Sequence, residues 1–171
     1  MNYFHKFYST HLKIIVFVFC ILPLFISCSS SKETTNNELD EISISKAERT
    51  ILELVNKYRK KKDLPKLKSI DEIVEIAEEH SKNMGEGKVK VGHDGFDKRY
   101  KKVKKKVKNV GSAAENVAFG NTSLKKIVDG WLKSPHHLSN IEGPFNYTGV
   151  GIYRNKQGVL FYTQIFINKV K

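Results

Sequence analysis

The chain has almost no cysteine. Two occur in 171 residues, Cys20 and Cys28, and both lie near the N-terminus. Everything after Cys28 is therefore free of disulfides, and a cysteine-based zinc site is excluded there. A domain in that region must be held by its own core. Long hydrophobic runs are also missing. The longest, residues 14 to 26 (IIVFVFCILPLFI), spans thirteen residues, against the roughly 20 that a membrane-spanning helix needs. Acid is scarce beside base, with 18 Asp and Glu against 30 Lys and Arg and a formal net charge of +12. No internal repeat is present, which excludes solenoids and propellers.

What is there begins with a cationic start and that short apolar run. Lys6 and Lys13 precede it and Pro23 interrupts it, the pattern of a signal peptide rather than of a buried helix. The run ends in Leu24-Phe25-Ile26-Ser27-Cys28. This resembles a bacterial lipobox, with Phe25 where Leu is usual; loose boxes of this kind resemble those of spirochaetes and some other diderm bacteria. The expectation is a signal peptide over residues 1–27 and an acylated Cys28 that holds the mature chain on a membrane, at the outer membrane or cell surface. Several acyl chains on one cysteine, palmitate-like in length, exceed the two-signal threshold for stable anchoring.

Residues 29 to 43 (SSSKETTNNELDEIS) are polar and acidic and have no apolar period. They are expected to form a flexible tether, so that residues 28–44 are anchor plus linker. Residues 45–171 have the length of one domain. They hold 27 basic against 14 acidic residues, so the positive charge belongs to the folded part.

Within it, Ser45-Lys46-Ala47-Glu48 reads as a capping box. Ala47, Ile51, Leu54, Val55 and Tyr58 follow at helical spacing, and Asp63-Leu64-Pro65 ends the helix. A second box, Ser69-Ile70-Asp71-Glu72, predicts another helix with Ile73, Ala77, His80 and Met84 on one face and Gly85 and Gly87 at its end. His80 on that face reads as a hydrogen-bonded core residue. Phe96, Tyr100, Val103 and Val107 predict a third helix over Asp97 to Lys108. Thr122 or Ser123 caps a fourth, with Ile127, Val128, Trp131 and Leu132 inward and Ser134-Pro135 at its end. Residues 147–153 and 159–167 then read as two strands joined through Asn155-Lys156-Gln157-Gly158. Helices first and a hairpin last place the chain in the α+β class, with helices covering an antiparallel sheet.

Three polar residues fit no apolar face. His93 stands in a glycine-flanked loop, Glu115 among small and apolar residues, and His137 just after the Trp131 helix. Two imidazoles and a carboxylate are one pattern for a divalent metal with an open position. By spacing alone, surface or hydrogen-bonded histidines account for them better.

A longer series changes that. Asn56-x-x-Arg59, Ile76-Ala77-x-x-His80-x-x-x-Met84, Gly92-His93-Asp94-Gly95-Phe96-x-x-Arg99, Ala114-Glu115-Asn116-Val117-Ala118-x-Gly120, Trp131-x-x-Ser134-Pro135-His136-His137-x-x-Asn140-Ile141, Gly149-Val150-Gly151 and Tyr162-Thr163-Gln164-x-Phe166 occur in order. The series resembles the bacterial branch of the CAP superfamily (cysteine-rich secretory proteins, antigen 5, pathogenesis-related 1; the SCP domain). The resemblance implies an α-β-α sandwich with a central antiparallel sheet and an open cleft. It places His93, Glu115 and His137 in that cleft, with His93 and His137 as ligands for zinc or another divalent cation. The second cleft carboxylate of the family falls at Ser134, which cannot ionise. His136 replaces a usual glycine and is expected to be exposed.

The remaining feature is the run Lys98, Arg99, Lys101, Lys102, Lys104, Lys105, Lys106 and Lys108, which reads either as a solvated face or as an anion-binding face for acidic lipid or glycan. Nucleic acid is not an expected partner, because the chain is exported and shows no nucleic-acid-binding fold. Two functions are in view. One is a membrane-anchored, non-enzymatic CAP-domain protein that binds a lipid, glycan or host protein. The alternative is a metal-dependent hydrolase or peptidase in which Glu115 acts as base.

Overall fold

The computed structural model describes residues 31 to 170, with side chains from Ile44 onward. The signal segment 1–27 and Cys28 lie outside the described residues. Among the described residues no helix is long and apolar enough to cross a membrane.

Helix α1 runs from Ser31 to Lys61. The segment read as a flexible tether is thus helical from Ser31, and Ser45 does not cap a helix start. The reason lies in the backbone chemistry. No proline or glycine occurs between Ser31 and Lys61, so nothing local stops the helix at the box. Ser45 Oγ instead accepts from Arg49 Nη1, one turn on, at 2.7 Å. The far end of α1 is fixed by Arg59, which is 1% exposed. Its guanidinium donates to the carbonyls of Pro65, Ile141, Gly143 and Phe145 at 2.7 to 3.1 Å. Asn56 clamps Leu67 through both backbone groups.

Strand β1 (Lys68–Ser69) precedes helix α2 (Asp71–Gly85). The second expected capping box fails here. Ser69 is drawn into strand pairing with Thr148, and the N-cap is Ile70, with no side-chain cap bond. The inward face of α2 is as the spacing predicts, with Ile73, Ala77, His80 and Met84 buried. Helix α3 spans Phe96–Lys106, starting from Gly95 at φ 78. Strand β2 (Val110–Phe119) and helix α4 (Leu124–Lys133) follow, the latter capped by Ser123. Pro135, which ends α4, also opens helix α5 (Pro135–Glu142) as its N1 residue, where its fixed φ suits a helix and its missing N–H costs nothing. Strands β3 (Tyr147–Arg154) and β4 (Leu160–Lys169) form the expected hairpin.

The sheet order is β1-β3-β4-β2; the three long strands are antiparallel and the short β1 is parallel to β3. Alternate residues of β4 feed opposite cores. Tyr162 and Phe166 join Ile51, Val55, Ile127, Trp131 and Ile141 on the α1–α4–α5 side. Ile165 and Ile167 join Ile73, Ile76, Val103 and Val107 on the α2–α3 side. This is the α-β-α sandwich, of α+β class. Two glycines set the α2–β3 distance. A Cβ on Gly149 would stand 2.4 Å from the Ile73 backbone, and one on Gly151 would stand 2.0 Å from Glu78 N. Only a residue without a side chain admits so close an approach.

Candidate functional site

Glu115 lies in mid-β2 opposite Ile165, so its side chain turns to the α2–α3 side and is buried. Asn116 turns the other way and ties β2 to α5. Its Nδ2 donates to His137 O at 3.1 Å, and Asn140 Nδ2 donates to Asn116 Oδ1 at 2.9 Å and to Glu115 O at 3.1 Å. The strand edge thus carries Glu115 while α5 presents His137 beside it.

The Glu115 carboxylate is fully engaged. Arg99 Nε donates to Oε2 and Arg99 Nη2 to Oε1, each at 2.7 Å. His93 Nδ1 lies 3.0 Å from Oε1. Arg99 also donates to the carbonyls of Asp94 (2.9 Å) and His93 (3.3 Å), so one guanidinium neutralises the buried acid and pins the His93 loop. His80 holds the same loop from below, its Nε2 2.9 Å from Gly92 O. A carbonyl only accepts, so His80 carries its proton on Nε2. Burial lowers the His80 pKa, which favours that neutral form.

The same inventory fixes His93. Its Nδ1 faces the Glu115 carboxylate, whose two oxygens already accept from Arg99, so Nδ1 is the donor of that contact and Nε2 is turned away from Glu115. The ring centroids of His93 and His137 are 6.2 Å apart. Burial, then the nearby His93 and His136, lower the His137 pKa. Two imidazoles beside a clamped carboxylate match the pattern of a metal-binding pair, in which the carboxylate orients one ligand instead of binding the ion. Among the described residues no group of three His, Cys, Asp or Glu is placed to hold a metal. A metal at this place could take at most the two histidine nitrogens from the described residues.

A hollow of about 350 Å³ beside His93 is lined by His93, Phe96, Ala114, Glu115, His136, Ser139 and Asn140, and His137 is not in its lining. His136 is exposed at its rim. Ser134 does not line it; it stands at the α4–α5 corner, where its N–H caps α4 and its carbonyl starts α5. Asn140 stands in the family-like series, but its place in the cleft is not assigned from sequence. Its position, one turn after His136 behind a proline that opens a helix, was the available signal.

The run of eight bases is not one face. Arg99 is turned inward, with its side chain 12% exposed. Lys102 pairs with Glu79 and Lys106 with Glu75, both on α2. Lys104 lies over the Tyr100 ring at 4.4 Å. Lys98, Lys101, Lys105 and Lys108 remain exposed and, among the described residues, outside any ion pair.

An α-β-α sandwich with a His pair and a clamped Glu at one sheet edge is the arrangement of a CAP domain. The model of the cysteine-rich secretory protein (CAP) family matches residues 52–166, and the chain belongs to that family. It is 30% identical over 128 residues to the uncharacterized membrane protein YlbC of Bacillus subtilis, and 28% identical over 145 residues to YkwD of the same organism. These matches cover 72% and 82% of this chain but 35% and 54% of the relatives, so the chain spans about a third to a half of their length. Among solved structures, an extracellular SCP-domain protein of Bacillus anthracis superposes with a TM-score of 0.61 at 30% identity, covering 73% of this chain and 41% of that one. An outer surface protein of Borrelia burgdorferi shares the fold at TM-score 0.65 and 19% identity, over 73% and 94% of the two chains.

Proposed function

We propose that this chain is an exported CAP-domain lipoprotein, held by lipid on Cys28, whose cleft at His93 and His137 binds a ligand and takes a divalent ion without hydrolysing anything. The observation that carries the reading is the state of Glu115. Both of its oxygens are bonded by Arg99, and one also by His93. A carboxylate so occupied orients His93 and is poorly placed to take a proton from water. Ser134, in the place of the family's second acid, supplies none either. Export is supported by the apolar run that ends at Cys28 and by relatives described as extracellular or outer-surface proteins. The ligand classes that suit an open, partly apolar cleft on a basic domain are a lipid, a glycan or a protein.

Zinc titration of the full chain tests the cleft. Binding that persists unchanged in His93→Ala would sink the shared site. Metal-dependent peptide cleavage that disappears in Glu115→Gln would establish the hydrolase alternative instead. Fractionation of cells expressing Cys28→Ala tests the anchor, which is refuted by a variant that is still cleaved and membrane-bound.

A further inference from the structure

One end of the sheet carries a row of three aromatic rings that the cleft does not use. Phe119 on β2 is paired with Phe161 on β4, and Phe161 with Tyr153 on β3. Direct cross-strand partners project from the same face of a sheet. Here it is the α2 face, where Phe161 packs with Met84 and Val117. Helix α2 stops over the rings of Tyr153 and Phe161. A Cβ on Gly85, its last residue, would stand 2.6 Å from the Tyr153 ring and 3.1 Å from that of Phe161. Phe119 lies beyond this cover. Its ring stacks on Phe161 at 6.0 Å and is 61% exposed, more than any other large hydrophobic among the described residues.

The surroundings are basic. Three of the segments that meet at this end, residues 82–90, 117–124 and 153–161, hold Lys82, Lys88, Lys90, Arg154 and Lys156 against the one acid Glu86, and α1 adds Lys46, Arg49 and the buried Glu48. Glu86 binds Lys88 and lies 3.9 Å from Lys82. Lys90, Arg154 and Lys156 have no ion pair among the described residues.

The course of α1 adds a direction. Midway along it Glu48 accepts from Ile152 N at 2.9 Å, and near its end Arg59 donates to Phe145 O at 3.1 Å. The helix therefore runs from the hairpin end of β3 towards its beginning. The chain enters the domain at the same pole that bears Phe119.

We propose that this pole is a contact surface for an anionic lipid bilayer, with Phe119 entering the boundary of the acyl region and Lys90, Arg154 and Lys156 on the headgroups. A bilayer surface uses both features at once, since an apolar group can sink into it while flanking cations meet acidic lipid. A soluble polyanion would use the cations and leave the ring in water. An apolar groove on another protein would cover the ring and leave the cations without partners. The inference does not depend on the ligand of the cleft or on lipid at Cys28, because residue 119 reports its own position.

The test is Phe119→Trp in the full chain, mixed with vesicles whose acyl chains carry bromine, a short-range fluorescence quencher. The native Trp131 is 2% exposed and supplies a constant background. On vesicles of phosphatidylglycerol and phosphatidylcholine the expected result is a blue shift and a loss of emission relative to wild type. Both should fade at high salt and in Lys90→Glu/Arg154→Glu/Lys156→Glu. On phosphatidylcholine alone the emission should stay near its value in buffer. Unchanged emission on the acidic vesicles overturns the proposal, as does equal quenching on neutral ones.

Discussion

Arg99 grips Glu115 through two nitrogens, Nε on one carboxylate oxygen and Nη2 on the other, each at 2.7 Å. The pair is nearly dry, with side chains 12% and 1% exposed. Removing one partner of such a pair strands a buried charge, which costs about 3–5 kcal/mol. Arg99→Ala should therefore lower unfolding free energy by that order in urea titrations. Adding Glu115→Gln should recover part of the loss, because the stranded charge is then gone. A single variant no less stable than Lys104→Ala would contradict this account of the site.

The His pair should make metal binding fall in acid. Burial holds His137 below its ordinary value of 6.5, so the unfolded chain binds the proton first as pH drops. Stability from this residue is present above about 6.5 and is lost as pH falls below it. Metal binding needs the neutral ring as well. Zinc affinity should thus hold steady above neutrality and decline below it. Affinity that rises on acidification would exclude His137 as a ligand.

The parts of this fold that were legible in sequence are those with a strong local cause. The apolar face of α2, the Ser123 cap and the β3–β4 hairpin all declare themselves through spacing or turn residues. Other features depend on distant partners. Ser69 reads as a helix cap but is recruited by β3, and β2 is hidden because small residues and a buried acid replace its alternation. At the site, His93, Glu115 and His137 stood out because no apolar face explained them. Arg99 belongs to the family-like series but reads as part of the basic face, because a charged residue in a lysine-rich helix looks solvated until the fold places a buried acid against it.

Glu48 should give stability an opposite pH trend. Burial, helped by the neighbouring Glu78, pushes its pKa up to about 7, against the opposing pull of the Ile152 N–H and of Arg49. The folded state then holds a proton that the unfolded chain gives up near 4.5. Between those values folding takes up a proton, so this contribution is full below about 4.5 and is lost as pH rises towards 7. Across this interval the melting temperature of the wild type should lose ground to that of Glu48→Gln as pH rises. An identical slope in the variant would assign the trend elsewhere.

The α2–β3 approach makes Gly151 a sensitive position. Its Cβ would meet Glu78 N at 2.0 Å and Ala77 C at 2.3 Å, and both are backbone atoms that cannot swing aside. Gly151→Ala should cost about 1–3 kcal/mol or more through forced displacement of α2. Gly130→Ala serves as the control. It is helical with nothing within 4 Å of its Cβ, and should gain about 0.5–1 kcal/mol. Equal effects from the two changes would mean that α2 yields easily.

The lysines of α3 divide by what they face, and anion binding should divide with them. Lys102 and Lys106 are spaced one turn apart and meet Glu79 and Glu75 of α2. Lys98, Lys101 and Lys105 lie at spacings of three and four on the neighbouring stripe and are exposed. A cation already paired adds little to the field that an approaching polyanion feels, whereas three unpaired cations on one stripe add together. Lys98→Glu/Lys101→Glu/Lys105→Glu should abolish retention on heparin, and the wild-type retention should weaken steeply with salt. Lys102→Ala/Lys106→Ala should leave most of the retention intact, because neither change touches the outer stripe. Equal losses from the two sets would show that the helix acts through net charge alone and not through a stripe.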